Sequence, residues 1–318
     1  MNYGLKYSCE DFLSRSELPW VKYALSSSAD DKKEMLGNTF IKETVNECLQ
    51  WPDMPLLRHN DAKHIIHKIC ILLDLGMTYE DAEMKTIANK ILSNQSDDGA
   101  LLTMLNIAKN FGGNGENELG WIVCDFPILL YILLKLGLEN DERTQKAIGL
   151  LKAISSEVGW QCVGAIEKFR GPGRKTDYCP YGTLVSLKAF SMLEQYHQDD
   201  FIIGGIDSIL SHWKNQKERK IYMFGIGTDF RKLKYPNVWF DIVHVVRVLG
   251  CFEHARKSKE FGEMISIIAD KQLNTGGFIP ESIYTAYKQY DFGQKKKESE
   301  TLTYMIYTIF KNLEKYDI

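Results

Sequence analysis

The sequence lacks the features that mark secreted, disulfide-rich and membrane-spanning proteins. Its seven cysteines form no Cys-x-x-Cys pair, and the amino-terminal residues contain no apolar stretch of signal-peptide type. These absences fit a reducing compartment, so we expect a cytoplasmic protein. The longest apolar runs, such as Phe126 to Leu134, reach only about half of the roughly 20 residues that a bilayer crossing needs. We therefore expect no membrane span.

An excess of charge of one sign is also absent. The chain has 39 Lys and Arg against 42 Asp and Glu, a formal net charge of −3. This balance provides no global attraction for nucleic acid or anionic lipid, and we expect neither as a partner. Hydrophobic residues make up 44% of the 318 positions and aromatic residues 12%. That content is enough to bury a core, which excludes a disordered chain.

What the sequence does contain is a repeated pattern of amphipathic helices. Leu75-Gly76, Leu136-Gly137 and Leu249-Gly250 each close an apolar run, and Leu193 closes another, with a period of roughly 60 residues. Helical spacing predicts helices at 61–75, 80–93, 124–136, 141–154, 180–195, 201–213, 238–249, 257–271 and 299–313. Alternating runs are few, so no sheet is expected. Repeated helical pairs must bury their apolar faces on neighbours, in an open solenoid or a closed ring.

Two segments, 174–181 and 239–244, together offer three types of metal ligand: a carboxylate, a thiolate and an imidazole. Asp177 and Cys179 stand just before Pro180, which suits the first position of a helix, and His244 lies on a later helix with Asp241 on the same face. Zinc held by three protein ligands keeps a fourth position open for chemistry. The helix start would also lower the pKa of the Cys179 thiol.

Each of these residues also has a structural interpretation. Asp177 could cap a turn and Cys179 could be a small buried side chain, since free cysteine is commonly buried. His244 and Asp241 could form a buried hydrogen-bonded pair. Asp61, His64 and His67 also suggest a metal-binding ladder, but the helical turn spreads them apart, and a solvated polar face is the expectation there.

The turn Gln-x-x-x-Gly-Gly-Phe at 272–278, with weaker copies at 94–99, 158–161 and 215–217, resembles the turns of α/α-toroid proteins. That group includes protein prenyltransferase β-subunits and terpenoid (squalene) cyclases. The similarity covers roughly 50–318 and implies an all-α fold, an α/α toroid of repeated helical hairpins around a central cavity. We accordingly predict an amino-terminal helical segment at 1–50 that packs on a toroid domain at 51–318.

Prenyltransferases of this group hold zinc with Asp-x-Cys and with a histidine in an Asp-x-x-His context, and 177–179 and 241–244 match both. The resemblance implies a zinc cofactor on Asp177, Cys179 and His244, with Asp241 beside the catalytic set. It also implies an isoprenoid diphosphate as substrate and a helical partner subunit. The residues assigned to substrate binding are Arg170, Arg174, Tyr178, Tyr181 and Trp239.

The main prediction is thus a prenyltransferase-like or terpenoid-cyclase-like protein that transfers an isoprenoid with zinc. Cyclase chemistry is disfavoured because Gln95-Ser96-Asp97-Asp98 lacks the first carboxylate of the cyclase Asp-x-Asp-Asp motif. Two alternatives remain open. One is a non-catalytic toroid that binds an apolar ligand or a partner. The other is a carbohydrate-active α/α-barrel enzyme that uses Asp97 or Asp98 as general acid or base.

Overall fold

The computed structural model describes residues 4–166, 168–169, 171, 176–218 and 225–316. The chain divides into two units. We name Glu43–Gly225 the central unit, and Met1–Lys42 together with Ile226–Ile318 the terminal unit. The predicted boundary after residue 50, between an amino-terminal segment and a toroid domain, stays a prediction.

About half of the described residues lie in α-helices, which the apolar spacing predicts. None of these helices combines the length and the apolar character that a bilayer crossing requires. In chain order they are α1 Cys9–Leu13, α2 Pro19–Ser26, α3 Ala29–Gly37, α4 Thr39–Cys48, α5 Ile65–Asp74, α6 Ala82–Ser93, α7 Phe126–Lys135, α8 Glu142–Ala153, α9 Pro180–Phe190, α10 Asp200–Lys214, α11 Ile242–Leu249, α12 Glu253–Arg256, α13 Lys259–Ala269 and α14 Glu300–Glu314.

Short strands occupy two of the connections in the central unit. β1 (Thr103–Asn106) pairs antiparallel with β2 (Asn117–Gly120), and β3 (Ser155–Ser156) pairs antiparallel with β4 (Gly159–Trp160). The strands are only two to four residues long. Such short strands leave too little alternation for a sequence pattern to reveal, which is why no sheet is expected from the sequence.

Two kinds of helix alternate in the central unit. Every residue of α7 from Phe126 to Leu134 is buried, and so is every residue of α9. A helix that is buried all round must be enclosed by other elements. By contrast, α8 buries one face, formed by Thr144, Ala147, Ile148 and Leu151. Helix α7 packs against α5 and α9 and also contacts α8. The inner positions therefore belong to α5, α7 and α9.

The Leu-Gly pairs end their helices in two different ways. Gly76 and Gly137 follow α5 and α7 with φ angles of 102° and 78°, a backbone conformation that glycine adopts without strain. Gly250 follows α11 with φ −60° instead. Space explains glycine at that position, because a Cβ atom would lie 2.9 Å from the Val246 carbonyl oxygen. The same sequence signal thus has two physical causes.

The glutamines of the repeat turns close those turns in the same way in both units. The Nε2 atom of Gln95 donates to the carbonyl of Gly99 at 2.8 Å, and that of Gln272 donates to the carbonyl of Gly276 at 3.1 Å. Both glycines have positive φ, 100° and 92°. Gln272 also pairs with the backbone of Tyr7, accepting from its N–H at 3.0 Å and donating to its carbonyl at 2.9 Å. The turn motif therefore also fixes the amino-terminal segment within the terminal unit.

Helix α14 anchors the rest of the terminal unit. It packs against α1 and α2, and Trp20 Nε1 donates to Thr301 Oγ1 at 3.0 Å. The carboxylate of Asp291 holds the start of α14. It accepts from Ser299 Oγ at 2.6 Å, from the Thr301 backbone N–H at 2.9 Å and from Thr301 Oγ1 at 2.7 Å. These bonds satisfy donors that a helix start otherwise leaves without partners.

Candidate functional site

Five residues come together in the central unit around the starts of two buried helices. Asp125 and Cys179 are the N-cap residues of α7 and α9, which pack against each other. Their neighbours interact electrostatically or through hydrogen bonds with one or both of these caps. We name this group the thiol cluster; its members are His59, Cys124, Asp125, Cys162 and Cys179.

The Cys179 sulfur is stabilised as a thiolate by the groups around it. Cys124 donates a hydrogen bond to it, and the backbone N–H of Gly182 donates at 3.3 Å. The bond from Cys124 is the largest of the causes that lower the pKa of Cys179 to about 7. Burial opposes this shift, whereas the N–H groups of Gly182 and Tyr181 and the positive charge of His59 reinforce it. The pKa of Cys124 is raised, first because its proton is held in the bond to Cys179.

His59 and Asp125 form a pair beside that sulfur. The Nδ1 atom of His59 lies 3.1 Å from Oδ1 of Asp125. Burial alone would lower the pKa of His59, but the charge and hydrogen bond of Asp125, together with Cys179, raise it. The Asp125 side chain is 2% exposed and that of His59 is 31% exposed. The other carboxylate oxygen, Oδ2 of Asp125, is buried and has no hydrogen-bond partner among the described residues.

The predicted zinc ligands belong to different units. Asp177 and Cys179 are in the central unit, and His244 is in the terminal unit. The Nδ1 atom of His244 donates to the Trp239 carbonyl at 2.8 Å, because a carbonyl can only accept. In the neutral imidazole Nε2 then carries the lone pair that a metal would need. No group of three or more His, Cys, Asp or Glu placed to hold a metal ion occurs within the described part of the chain. Zinc stays a prediction.

The remaining predicted site residues are in varied surroundings. Asp241 caps α11, since its Oδ1 accepts from the His244 backbone N–H at 2.9 Å. Tyr178 is buried, and its hydroxyl donates to the Ser208 carbonyl at 2.5 Å. Tyr181 is buried within α9, whereas Trp239 is half-buried. Arg170 and Arg174, predicted to bind a diphosphate, lie outside the described residues.

A cleft of about 410 Å³ lies on the central unit, beside the segment that leads into α9. Three carboxylates line it: Asp177, which is buried, and Glu157 and Asp207, which are exposed. We name it the acidic cleft, because its described lining contains no Lys or Arg. The other lining residues are Val158, Thr176, Tyr178, Gly204, Ser208, Ser211, His212 and Asn215. Asp97 and Asp98, the candidate acid and base of the carbohydrate alternative, are exposed in another turn and do not line it.

Sequence reasoning missed four members of the thiol cluster and most of the acidic cleft. A signal for two of the missed cluster residues was present, because Cys124-Asp125-Phe126-Pro127 and Cys179-Pro180 both place a cysteine just before a proline that opens a buried helix. Aligning the starts of the repeated helices would have found Cys124 and Asp125. His59 and Cys162 lie in loops, where helical spacing gives no information.

Comparison with known proteins adds information on the fold. No family model matches the sequence, and no curated protein matches it by sequence. Among solved structures, a similar chain is an unsaturated glucuronyl hydrolase specific for heparin, with a TM-score of 0.51 and 13% identity over 97% of this chain and 86% of that one. Its fold is an α/α barrel, or toroid.

This likeness confirms the predicted all-α, α/α-toroid fold class. It does not support membership of the prenyltransferase and terpenoid-cyclase group, and the main functional prediction, isoprenoid transfer, is wrong. The solved chain of this fold is instead described as a glucuronyl hydrolase, a carbohydrate-active enzyme.

Proposed function

We propose that this chain is a carbohydrate-active α/α-barrel enzyme that hydrolyses a glycosidic bond in the acidic cleft. One observation carries the proposal. Within this fold, Asp177, Asp207 and Glu157 line a single cleft together with hydroxyl, amide and imidazole groups. A volume of about 410 Å³ is of the size that holds small ligands in proteins.

The chemistry of glycoside hydrolysis fits this lining. Most glycosidases use a pair of carboxyl groups, one that protonates the leaving oxygen and one that activates water or attacks the sugar. Asp177 is the enclosed member of the three carboxylates, and Asp207 or Glu157 would complete the pair from the exposed side. Ser211 and Asn215 can exchange hydrogen bonds with sugar hydroxyls, and Asn215 Nδ2 donates to Ser211 Oγ at 3.0 Å.

The charge of the cleft favours a particular class of sugar. An anionic group about 4 Å from one of these carboxylates would be repelled by about 1 to 4 kcal/mol, depending on how well water screens the pair. Three carboxylates in one lining therefore disfavour sulfated or uronic-acid sugars. We expect a neutral or an amino sugar at this position, unlike the heparin of the structural neighbour.

The test is turnover of an oligosaccharide panel by the full-length protein, followed by mass spectrometry of the products. The panel contains neutral, amino-sugar and uronate oligosaccharides. We expect cleavage of a neutral or amino-sugar member, and at least a hundredfold loss on Asp177→Asn, in line with the contribution of general acid–base catalysis. Asp98→Asn, an exposed carboxylate away from the cleft, is the matched control and should keep full activity.

Two results would contradict the proposal. One is cleavage that survives Asp177→Asn, Asp207→Asn and Glu157→Gln alike, which would place the chemistry elsewhere. The other is the absence of turnover for every member of the panel when calorimetry nevertheless detects binding. That second result would favour the alternative of a non-catalytic α/α-barrel binding protein.

A further inference from the structure

We infer that the acidic cleft takes a chain of three sugars along α10, and that Asn215 binds the sugar farthest from the bond that is cleaved. The substrate is then a trisaccharide or a longer oligosaccharide, and a disaccharide is a poor substitute. This inference rests on the proposed glycosidase function and deepens it, because it names the length of the substrate and a residue that selects for that length.

The shape of the cleft follows from the way in which α10 lines it. The lining residues from this helix and its C-cap are spaced three and four positions apart or side by side, as on one face of a helix. They are Gly204, Asp207, Ser208, Ser211, His212 and Asn215. From Gly204 to Asn215 a helix advances by about 16 Å. A cleft of about 410 Å³ that extends so far is narrow, which suits a chain better than a rounded ligand.

The opposite wall of the cleft is held against the first part of this helical face. The Oγ atom of Ser208 donates to the Val158 carbonyl at 2.7 Å, and the Tyr178 hydroxyl donates to the Ser208 carbonyl at 2.5 Å. A Cβ atom at position 204 would lie 2.1 Å from the carbonyl oxygen of Glu157. Glycine therefore permits the backbone of Glu157 to lie directly against α10. The cleft ends at this contact and extends from it toward Asn215.

The two ends of the cleft differ in chemistry. Glu157 lies against Gly204, and Asp207 follows one turn later on α10, so two of the three carboxylates belong to the closed end. Asn215 lies eight residues beyond Asp207, which is about 12 Å farther along a helix. Carboxyl groups are the residues that cleave glycosidic bonds. We therefore place the cleaved bond near Asp207 and a purely binding contact at Asn215.

Ser211 and Asn215 are suited to bind a sugar without charge. Asn215 Nδ2 donates to Ser211 Oγ at 3.0 Å, and this bond uses one of the two N–H groups of the amide. It also orients the amide, so that Oδ1 can accept from one sugar hydroxyl while the second N–H donates to the adjacent hydroxyl. Neighbouring ring hydroxyls of a pyranose present this combination of donor and acceptor.

The length of the substrate follows from the length of the cleft. One helical turn rises about 5.4 Å, which is close to the length that one pyranose adds to an extended chain. The three turns from Gly204 to Asn215 therefore match three sugars. Two sugars that flank a bond near Asp207 occupy the first two turns, and the third sugar reaches Asn215. A disaccharide positioned for cleavage does not reach it.

The test measures kcat and KM of the full-length protein for cello-oligosaccharides and chitosan oligosaccharides of two, three and four sugars. We expect kcat/KM to rise at least tenfold from two sugars to three and to change little from three to four. Asn215→Ala should raise KM for the trisaccharide about tenfold, in line with the loss of two neutral hydrogen bonds. It should leave kcat unchanged, because a contact far from the cleaved bond is made equally in the ground state and the transition state.

The disaccharide separates this role from a structural one. Its kcat/KM should stay within twofold on Asn215→Ala, whereas general damage to the cleft would lower the values for both lengths. Ser211→Ala should also raise KM for the trisaccharide, and the double variant should lose less than the product of the two single losses, because the two side chains are bonded to each other. Asn312→Ala, an exposed asparagine on α14 of the terminal unit, is the matched control and should change nothing.

The failure of this inference can be distinguished from the failure of the glycosidase proposal. Cleavage with equal kcat/KM for two and three sugars, or an Asn215→Ala variant that behaves like wild type, would overturn the inference and leave the glycosidase intact. If neither series is cleaved, calorimetry of the same oligosaccharides decides. Tighter binding of three sugars than of two, weakened about tenfold by Asn215→Ala, would support the binding role of Asn215 without catalysis. Equal affinities for both lengths, or no measurable binding of either series, would overturn it.

Discussion

His67 should make the stability of the protein depend on pH. It lies on α5 and is 4% exposed, and its Nε2–H donates to the His59 carbonyl at 2.8 Å. Burial lowers the pKa of its imidazole from 6.5 to about 3. The hydrogen bond to the carbonyl opposes this shift, whereas the positive charges of His64, Lys188 and His59 add to it. His67 is therefore neutral in the folded chain throughout the mildly acidic range.

The sign and size of the effect follow from the two states of the chain. Above pH 6.5 the imidazole is neutral both folded and unfolded, so pH has no effect through it. Below that value the unfolded chain takes up a proton that the folded chain refuses, and stability falls by about 1.4 kcal/mol per pH unit. Between about pH 6.5 and pH 4.5 the loss is about 2 to 3 kcal/mol. That is a large part of the 5 to 15 kcal/mol of a typical domain.

The assay is urea unfolding at a series of pH values for three chains. His67→Gln keeps an amide donor for the His59 carbonyl but has no group that titrates, so its free energy of unfolding should fall less steeply. The difference from wild type should change by about 1.4 kcal/mol per pH unit below pH 6.5. His254→Gln, on α12, controls for the loss of an imidazole. Parallel curves for wild type and His67→Gln would refute the reasoning.

Three other substitutions test two of the glycine turns and the start of α14. Gly276→Ala should lower the free energy of unfolding by more than about 2 kcal/mol, because φ is 92° and the new Cβ would lie 2.1 Å from a backbone carbonyl oxygen. At Gly137 a new Cβ meets nothing within 4 Å, so Gly137→Ala should cost about 1 kcal/mol. Equal losses of unfolding free energy for the two glycine variants in urea would contradict this. Asp291→Ala removes an acceptor of three hydrogen bonds from Ser299 and Thr301 and should lower the free energy of unfolding by about 2 to 3 kcal/mol. Faster hydrogen exchange at the start of α14 would accompany the loss, and unchanged exchange would refute it.

The helices could be predicted from the sequence because their apolar spacing is local information. The burial of His64 and His67 could not. A solvated polar face is the expectation for them, yet both are buried, with Nε2 atoms bonded to the carbonyls of Met54 and His59. Those carbonyls belong to an irregular loop, and nothing in helical periodicity says where such a loop will run.

The error about isoprenoid transfer has a physical origin. The aspartate of the Asp-x-x-His match caps α11 through its Oδ1, and the cysteine of the Asp-x-Cys match caps α9. Aspartate is a preferred residue at helix starts for capping alone. A repeat protein has many helix starts, so two matches at such positions carry less information than their spacing suggests.

The bonding of Gln272 to Tyr7 determines the order in which the chain can assemble on the ribosome. These residues are 265 positions apart, so at ordinary rates of translation the amino-terminal segment waits about 10 to 50 s for its partner. Trp20 waits longer still, because Thr301 is made later. Meanwhile Glu43–Gly225 is already complete and free to fold, while the first helices still expose apolar surface. The earliest residues of a newborn chain are therefore the last to reach their native partners.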